Sequence, residues 1–135
     1  MSNQFLQIKW VRVILTALVV YILSFLTIFI AITAYASVLG FQARGAPDQT
    51  LINTFASQYA PWVGPISLIL FTFLGVMHMA QRVDVAVQTN GIALGVLTSI
   101  AYLVLEGARS FDLVGLLTVI LTIGAGWLGS RSVKK

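Results

Sequence analysis

The chain of 135 residues is 59% hydrophobic and only 9% charged, with a formal net charge of +4; soluble domains average about a quarter charged, so its polar residues are too few to cover a soluble globule. Its eight Lys and Arg against four Asp and Glu are dispersed at the ends of apolar runs, which argues against a nucleic-acid partner. Cysteine is absent, which excludes disulfide exchange, thiolate metal sites and iron–sulfur clusters.

The chain opens with a polar segment in which Trp10 stands between Lys9 and Arg12, an amphipathic ring beside two cations that suits a membrane interface. The uncharged run that follows, 13–39, would be about 40 Å long as a helix, against roughly 30 Å of hydrocarbon. It must therefore tilt strongly or project one or two turns, and its polar end from Thr33 to Ser37 favours projection. Ala34, Tyr35 and Ala36 resemble the cleavage site of a secretory signal, but the apolar run is longer than such signals use, so a retained transmembrane helix is expected.

The stretch from Gly40 to Tyr59 is the only substantial loop. Within it, Leu51, Ile52, Phe55 and Tyr59 fall on one helical face behind Pro47 and Asp48. Asp48 can cap a helix start, and the pattern predicts a short helix near 48–59 lying on the membrane surface, with a packed loop as the alternative. Pro61 and Pro65 then open the second span, 61–80, where a missing N–H costs little in the first turn, and Trp62 marks the interface. A polar hairpin leads into a third span at 85–105. Phe111 and Asp112 start the fourth, 113–130, which ends before Arg131, Lys134 and Lys135.

These elements make the chain an all-α, polytopic membrane protein: one domain, 1–135, of four transmembrane helices in a bundle. Lys9, Arg12, Arg82, Arg131, Lys134 and Lys135 fall on one face of the membrane, and only Arg44 and Arg109 on the other. By the positive-inside rule this places both termini in the cytoplasm. No internal repeat of an inverted-repeat transporter is present.

Helix association in lipid depends on close backbone approach between small residues. Gly91, Gly95 and Ser99 recur every fourth residue on the third helix, and Thr118, Thr122 and Gly126 answer on the fourth, with Ala125 and Gly129 alongside. These two helices are expected to pair tightly. The second helix offers Gly64, Ser67 and Gly75, and the first Ala17, Ser24 and Ala31.

Ionisable residues deep in a membrane are the usual markers of a transport or proton pathway, and the helix centres here contain none. Glu106 and Arg109, three apart at an outer helix end, can pair. The densest polar cluster is the hairpin, with His78, Gln81, Arg82, Asp84, Gln88, Thr89 and Asn90. His78 and Arg82 share a helical face, and Asn90 stands about one turn inside the third helix, where its amide needs a partner. His78, Arg82, Asp84 and Asn90 thus form either a cytoplasmic vestibule or anionic-lipid headgroup site, with Lys9 and Arg12 nearby, or a polar turn with capping side chains. In the second case Asn90→Leu should be neutral or stabilising. His78 is the only histidine, which excludes a bis-histidine haem within one chain. No hydrolase, zincin or nucleotide-binding motif is present, so no enzymatic activity, cofactor or metal is expected.

In NGIALGVLTSIAYLVLEG and LVGLLTVILTIGAGWLGS, the chain resembles the C-terminal half of small prokaryotic four-helix integral membrane proteins of uncharacterised function. The resemblance covers roughly 61–130, rests on glycine placement, and implies a four-helix fold in a prokaryotic inner membrane without supplying any functional residue. Two functional expectations remain. One is a non-catalytic accessory or scaffold subunit whose partners are the lipid bilayer and a larger membrane complex. The other is a homo-oligomeric channel or carrier, its pathway formed between copies because four helices without central polar residues offer no pore.

Overall fold

The computed structural model describes residues 7–106 and 112–133. They form four helices in chain order: α1 (Trp10–Ala43), α2 (Gln49–Ala80), α3 (Val87–Glu106) and α4 (Leu113–Ser132). Each is long and apolar enough to cross a membrane. Hydrocarbon offers no partner to backbone polar groups, so only segments that bond internally can span it. Hydroxyls on the outer faces follow the same logic. Thr27, Thr33 and Ser37 donate to the carbonyls of Leu23, Phe29 and Thr33, one turn back on α1.

The short surface helix expected near 48–59 is not a separate element. It is the first third of α2, which runs unbroken through Pro61 and Pro65. Asp48 does cap the start, its Oδ1 accepting from the Thr50 N–H at 2.8 Å. What replaces the membrane surface is α1 itself, which continues to Ala43 and gives Phe55, at the middle of that face, a partner. Tyr35 stacks on Phe55 with centroids 4.1 Å apart, and Phe55 on Tyr59 at 4.6 Å, while Ile52 is buried. Arg44 adopts a left-handed conformation, φ 50°, to end α1, and Gly45 N–H returns to the Gly40 carbonyl. The turn is tight enough for α2 to start alongside α1.

The result is two tall helices beside two short ones. Tyr102, near the end of α3, lies level with Tyr21 to Ile28 on α1 and Gly64 to Leu68 on α2, where these side chains line one small cavity. Past the described end of α3, four residues beyond that level, α1 and α2 continue as a two-helix arm, about 16–18 Å long at 1.5 Å per residue. The four buried residues of α1, Val13, Ala17, Val20 and Ser24, all belong to the half below the arm. Trp62 stands near the base of the arm and Trp10 at the opposite end, in a concavity shared with Arg82 and Val83; Trp127 sits higher on α4, with the Arg131 guanidinium 4.3 Å from its ring. About 20 residues separate the levels of Trp62 and Trp10, the height of a hydrocarbon core.

The short helices pair through glycine. A methyl group added at Gly91 would lie 2.6 Å from the Gly126 carbonyl oxygen, and one added at Gly126 would lie 2.5 Å from the Gly91 carbonyl oxygen. The Cα hydrogens that occupy those directions therefore point at the opposite carbonyls, a reciprocal pair of weak Cα–H···O contacts. Gly95 faces the backbone of Thr122 and Ile123, and Ser99 Oγ lies 3.4 Å from the Val119 carbonyl as well as 2.8 Å from its own Gly95 carbonyl. Gly129 brings the other side of α4 against Phe73 and Val76 of α2, and Gly75 brings α2 against Thr16 and Val20 of α1. Gly124 points into open space. Among the described residues, Thr72 Oγ1 and Thr122 Oγ1 are buried without a hydrogen-bond partner.

Candidate functional site at the basic end

The end of the bundle that carries the start of α1, the α2–α3 hairpin and the end of α4 gathers Lys9, Arg12, Arg82 and Arg131. It is closed by apolar side chains: Ile8 and Val83 join Val13, Ala17, Val76, Met79 and Leu94 in one buried cluster. The short segment before α1 therefore tucks under the bundle. Sequence reading did not see this, because Phe5, Leu6 and Ile8, interrupted by Gln7 and Lys9, make no run long enough to signal a buried element.

Asn90 holds that segment in place. Its side chain is fully buried. Its Oδ1 accepts the Lys9 backbone N–H at 2.8 Å, and its Nδ2 donates to the carbonyls of Val85 at 3.2 Å and Ala86 at 2.9 Å. One amide thus uses both of its donors and its oxygen to fasten the beginning of α1 to the hairpin. These fixed partners argue against the neutral outcome that the polar-turn reading expects of Asn90→Leu. That expectation assumed a hydrogen-bonding group without fixed partners, whereas these partners are backbone groups that stay behind. The same turn forces Ala86 to φ 50°, which a residue with a Cβ adopts at a cost.

His78, Arg82 and Asp84 are exposed, unlike Asn90. His78 and Arg82 lie one helical turn apart and share a groove of about 630 Å³ with Arg12, on the side where α1 meets α2. The Arg12 guanidinium donates to the Arg82 carbonyl, joining the first turn of α1 to the end of α2. Asp84 lies in a different concavity, shared with Lys9, Arg12 and Arg82. The four hairpin residues named from sequence therefore do not line one common space. Two belong to the α1–α2 groove, one to its neighbour, and Asn90 to the interior. Sequence reading placed Arg12 near the hairpin but not in contact with it, since a contact across 70 residues leaves no local pattern.

The expected Glu106–Arg109 pair, Phe111, and the C-terminal Lys134 and Lys135 involve positions outside the described residues. Among the described residues, no group of three or more His, Cys, Asp or Glu is placed to hold a metal ion. Compared with models of protein families, with curated proteins and with solved structures, the chain finds no match.

Proposed function

We propose that this multi-pass protein is a non-catalytic accessory or scaffold subunit, packing against other membrane proteins or lipids in a prokaryotic inner membrane with both termini in the cytoplasm. The observation that carries the proposal is the two-helix arm. It rises past the described ends of α3 and α4 by about three turns, on the side away from the basic end. Phe41 is 88% exposed, and Val38, Leu51 and Tyr59 are also exposed. Above the hydrocarbon these side chains have no lipid tails to cover them. Exposed apolar groups on a rigid projection are what a protein partner buries. The orientation rests on charge: the basic residues concentrate at the end opposite the arm.

Two measurements test the proposal. The first compares the parent with Val38→Asn combined with Phe41→Ser, extracted from native membranes in mild detergent and sized. The parent should run in a larger assembly and the variant alone, with equal thermal stability. A parent that runs as a lone symmetric oligomer, unaffected by the substitutions, would refute the subunit reading. In the second, a reporter fused after Lys135 should be active in the cytoplasm; activity only outside it would reverse the topology.

A further inference from the structure

We infer that the groove between α1 and α2 at the basic end is a binding site for an anionic two-chain phospholipid, with one acyl chain along the groove and the phosphate at Arg12, His78 and Arg82. The inference does not depend on the arm or on any protein partner.

Three observations identify the occupant. The first is the length of the groove. On α1 it runs from Arg12 to Leu23, and on α2 from Arg82 back to Phe71. Each stretch is about 16 Å of helix, close to half of a hydrocarbon core about 30 Å thick. A partner helix would follow the whole span, whereas a groove that stops at mid-depth matches one lipid chain in one leaflet. Its volume, about 630 Å³, falls in the range of small-ligand sites, about 300–1,000 Å³.

The second is the division of its chemistry along its length. Below the basic end the walls are apolar, with Leu15, Val19, Leu23, Phe71 and Leu74, and all three ionisable groups that line the groove stand at one end. None of them is acidic, so that end complements a phosphate. The third is preorganisation. The Arg12 guanidinium is anchored to the Arg82 carbonyl, which uses part of its five-donor set and leaves other N–H groups to turn toward a ligand. Arg82, two residues past the end of α2, stands on the same rim. Asp84, on the far side of both arginines, is the carboxylate a lipid phosphate must compete with.

The test uses purified protein in detergent, native mass spectrometry and thermal unfolding. Dioleoyl-phosphatidylglycerol, dioleoyl-phosphatidylcholine and glycerol 3-phosphate are added separately. Phosphatidylglycerol should be retained about fivefold better than phosphatidylcholine and should raise the unfolding temperature, while glycerol 3-phosphate should do neither, lacking the chain. Arg82→Gln should abolish the preference between the two lipids, and Arg82→Lys should keep most of it. Leu74→Trp, at a half-exposed groove wall, should remove bound lipid of both kinds. Its unfolding in lipid-free detergent should match the parent. Equal retention of the two lipids by the parent, a preference that survives Arg82→Gln, or protection by glycerol 3-phosphate equal to that of the lipid would each overturn the assignment. If Leu74→Trp is unstable without lipid, Val19→Trp on the facing helix takes its place, and retention of lipid by a stable groove-filled variant overturns the assignment equally.

Discussion

The glycine seam between α3 and α4 can be tested with a single methyl group. In Gly126→Ala the new Cβ would stand 2.5 Å from the Gly91 carbonyl oxygen, and reaching ordinary contact at 3.4 Å requires a retreat of about 0.9 Å. Both atoms are held by helix backbone, so no side chain can swing aside and the helices themselves must part. A gap of that order forfeits about a quarter to a half of the dispersion well at each contact along the seam. The reciprocal Cα–H···O pair is lost as well, at roughly 0.5–1 kcal/mol each. Together these losses predict a destabilisation of about 2–3 kcal/mol, in line with other over-packed interiors. Gly124→Ala is the internal control, because its Cβ meets nothing within 4 Å. It should be neutral or gain up to about 1 kcal/mol from helix propensity. Unfolding both variants by titrating SDS into a mild detergent, followed by circular dichroism, measures the difference. Gly91→Ala and Gly126→Ala should also combine less than additively, since the first methyl already separates the backbones the second would push apart. If Gly126→Ala unfolds with the parent, or Gly124→Ala loses as much as Gly126→Ala, the seam is not held by direct backbone contact.

Gly95→Leu, facing the Ile123 and Thr122 backbone, should cost more than either alanine change and reduce heat stability in detergent. Asn90→Leu should destabilise by about 1 kcal/mol, because it strands the Lys9 N–H and the Val85 carbonyl in a partly buried site; a neutral result in thermal unfolding would show that they find other partners. Ala86→Gly should stabilise by several tenths of a kcal/mol. It removes most of a left-handed penalty of about 1–2 kcal/mol at the cost of a more flexible unfolded chain, and a lower unfolding temperature would contradict that account. Thr122→Val and Thr72→Val replace buried, unpartnered hydroxyls by methyl groups of similar shape, so each should raise the unfolding temperature, and a fall would point to a partner such as a bound water.

Much of this architecture can be read from residue order because membrane spans are coded by length and apolarity. The runs beginning at Val13, Val85 and Leu113 lead to α1, α3 and α4 within a few residues of the helix ends. Asp48 acts as the cap its position suggests. The four-residue spacing of Gly91 and Gly95 leads to the face that meets α4, since small residues carry contact information in lipid. Prolines carried an ambiguous message. Pro61 and Pro65 suit a helix start as well as an interior turn of a membrane helix, and only the α1 extension, through Tyr35, decides for the second. Beyond reach altogether were features made by chain closure: Ile8 under the bundle, Arg12 on the Arg82 carbonyl, and the left-handed Ala86. Each depends on residues far apart in sequence or on the shape of one turn, and no local periodicity encodes them.

The Asn90 bond to the Lys9 backbone also constrains the order of assembly. Its two ends are 81 residues apart, so while the chain is being made the start of α1 must wait, without its amide partner, until α2 has crossed and the hairpin has been synthesised. Although α1 is made before α2 and α3, it is thus fixed at its base only after them. Completion of that bond marks the moment when the two halves of the chain become one unit, and a nascent chain stopped before the hairpin would hold α1 by its contacts with α2 alone.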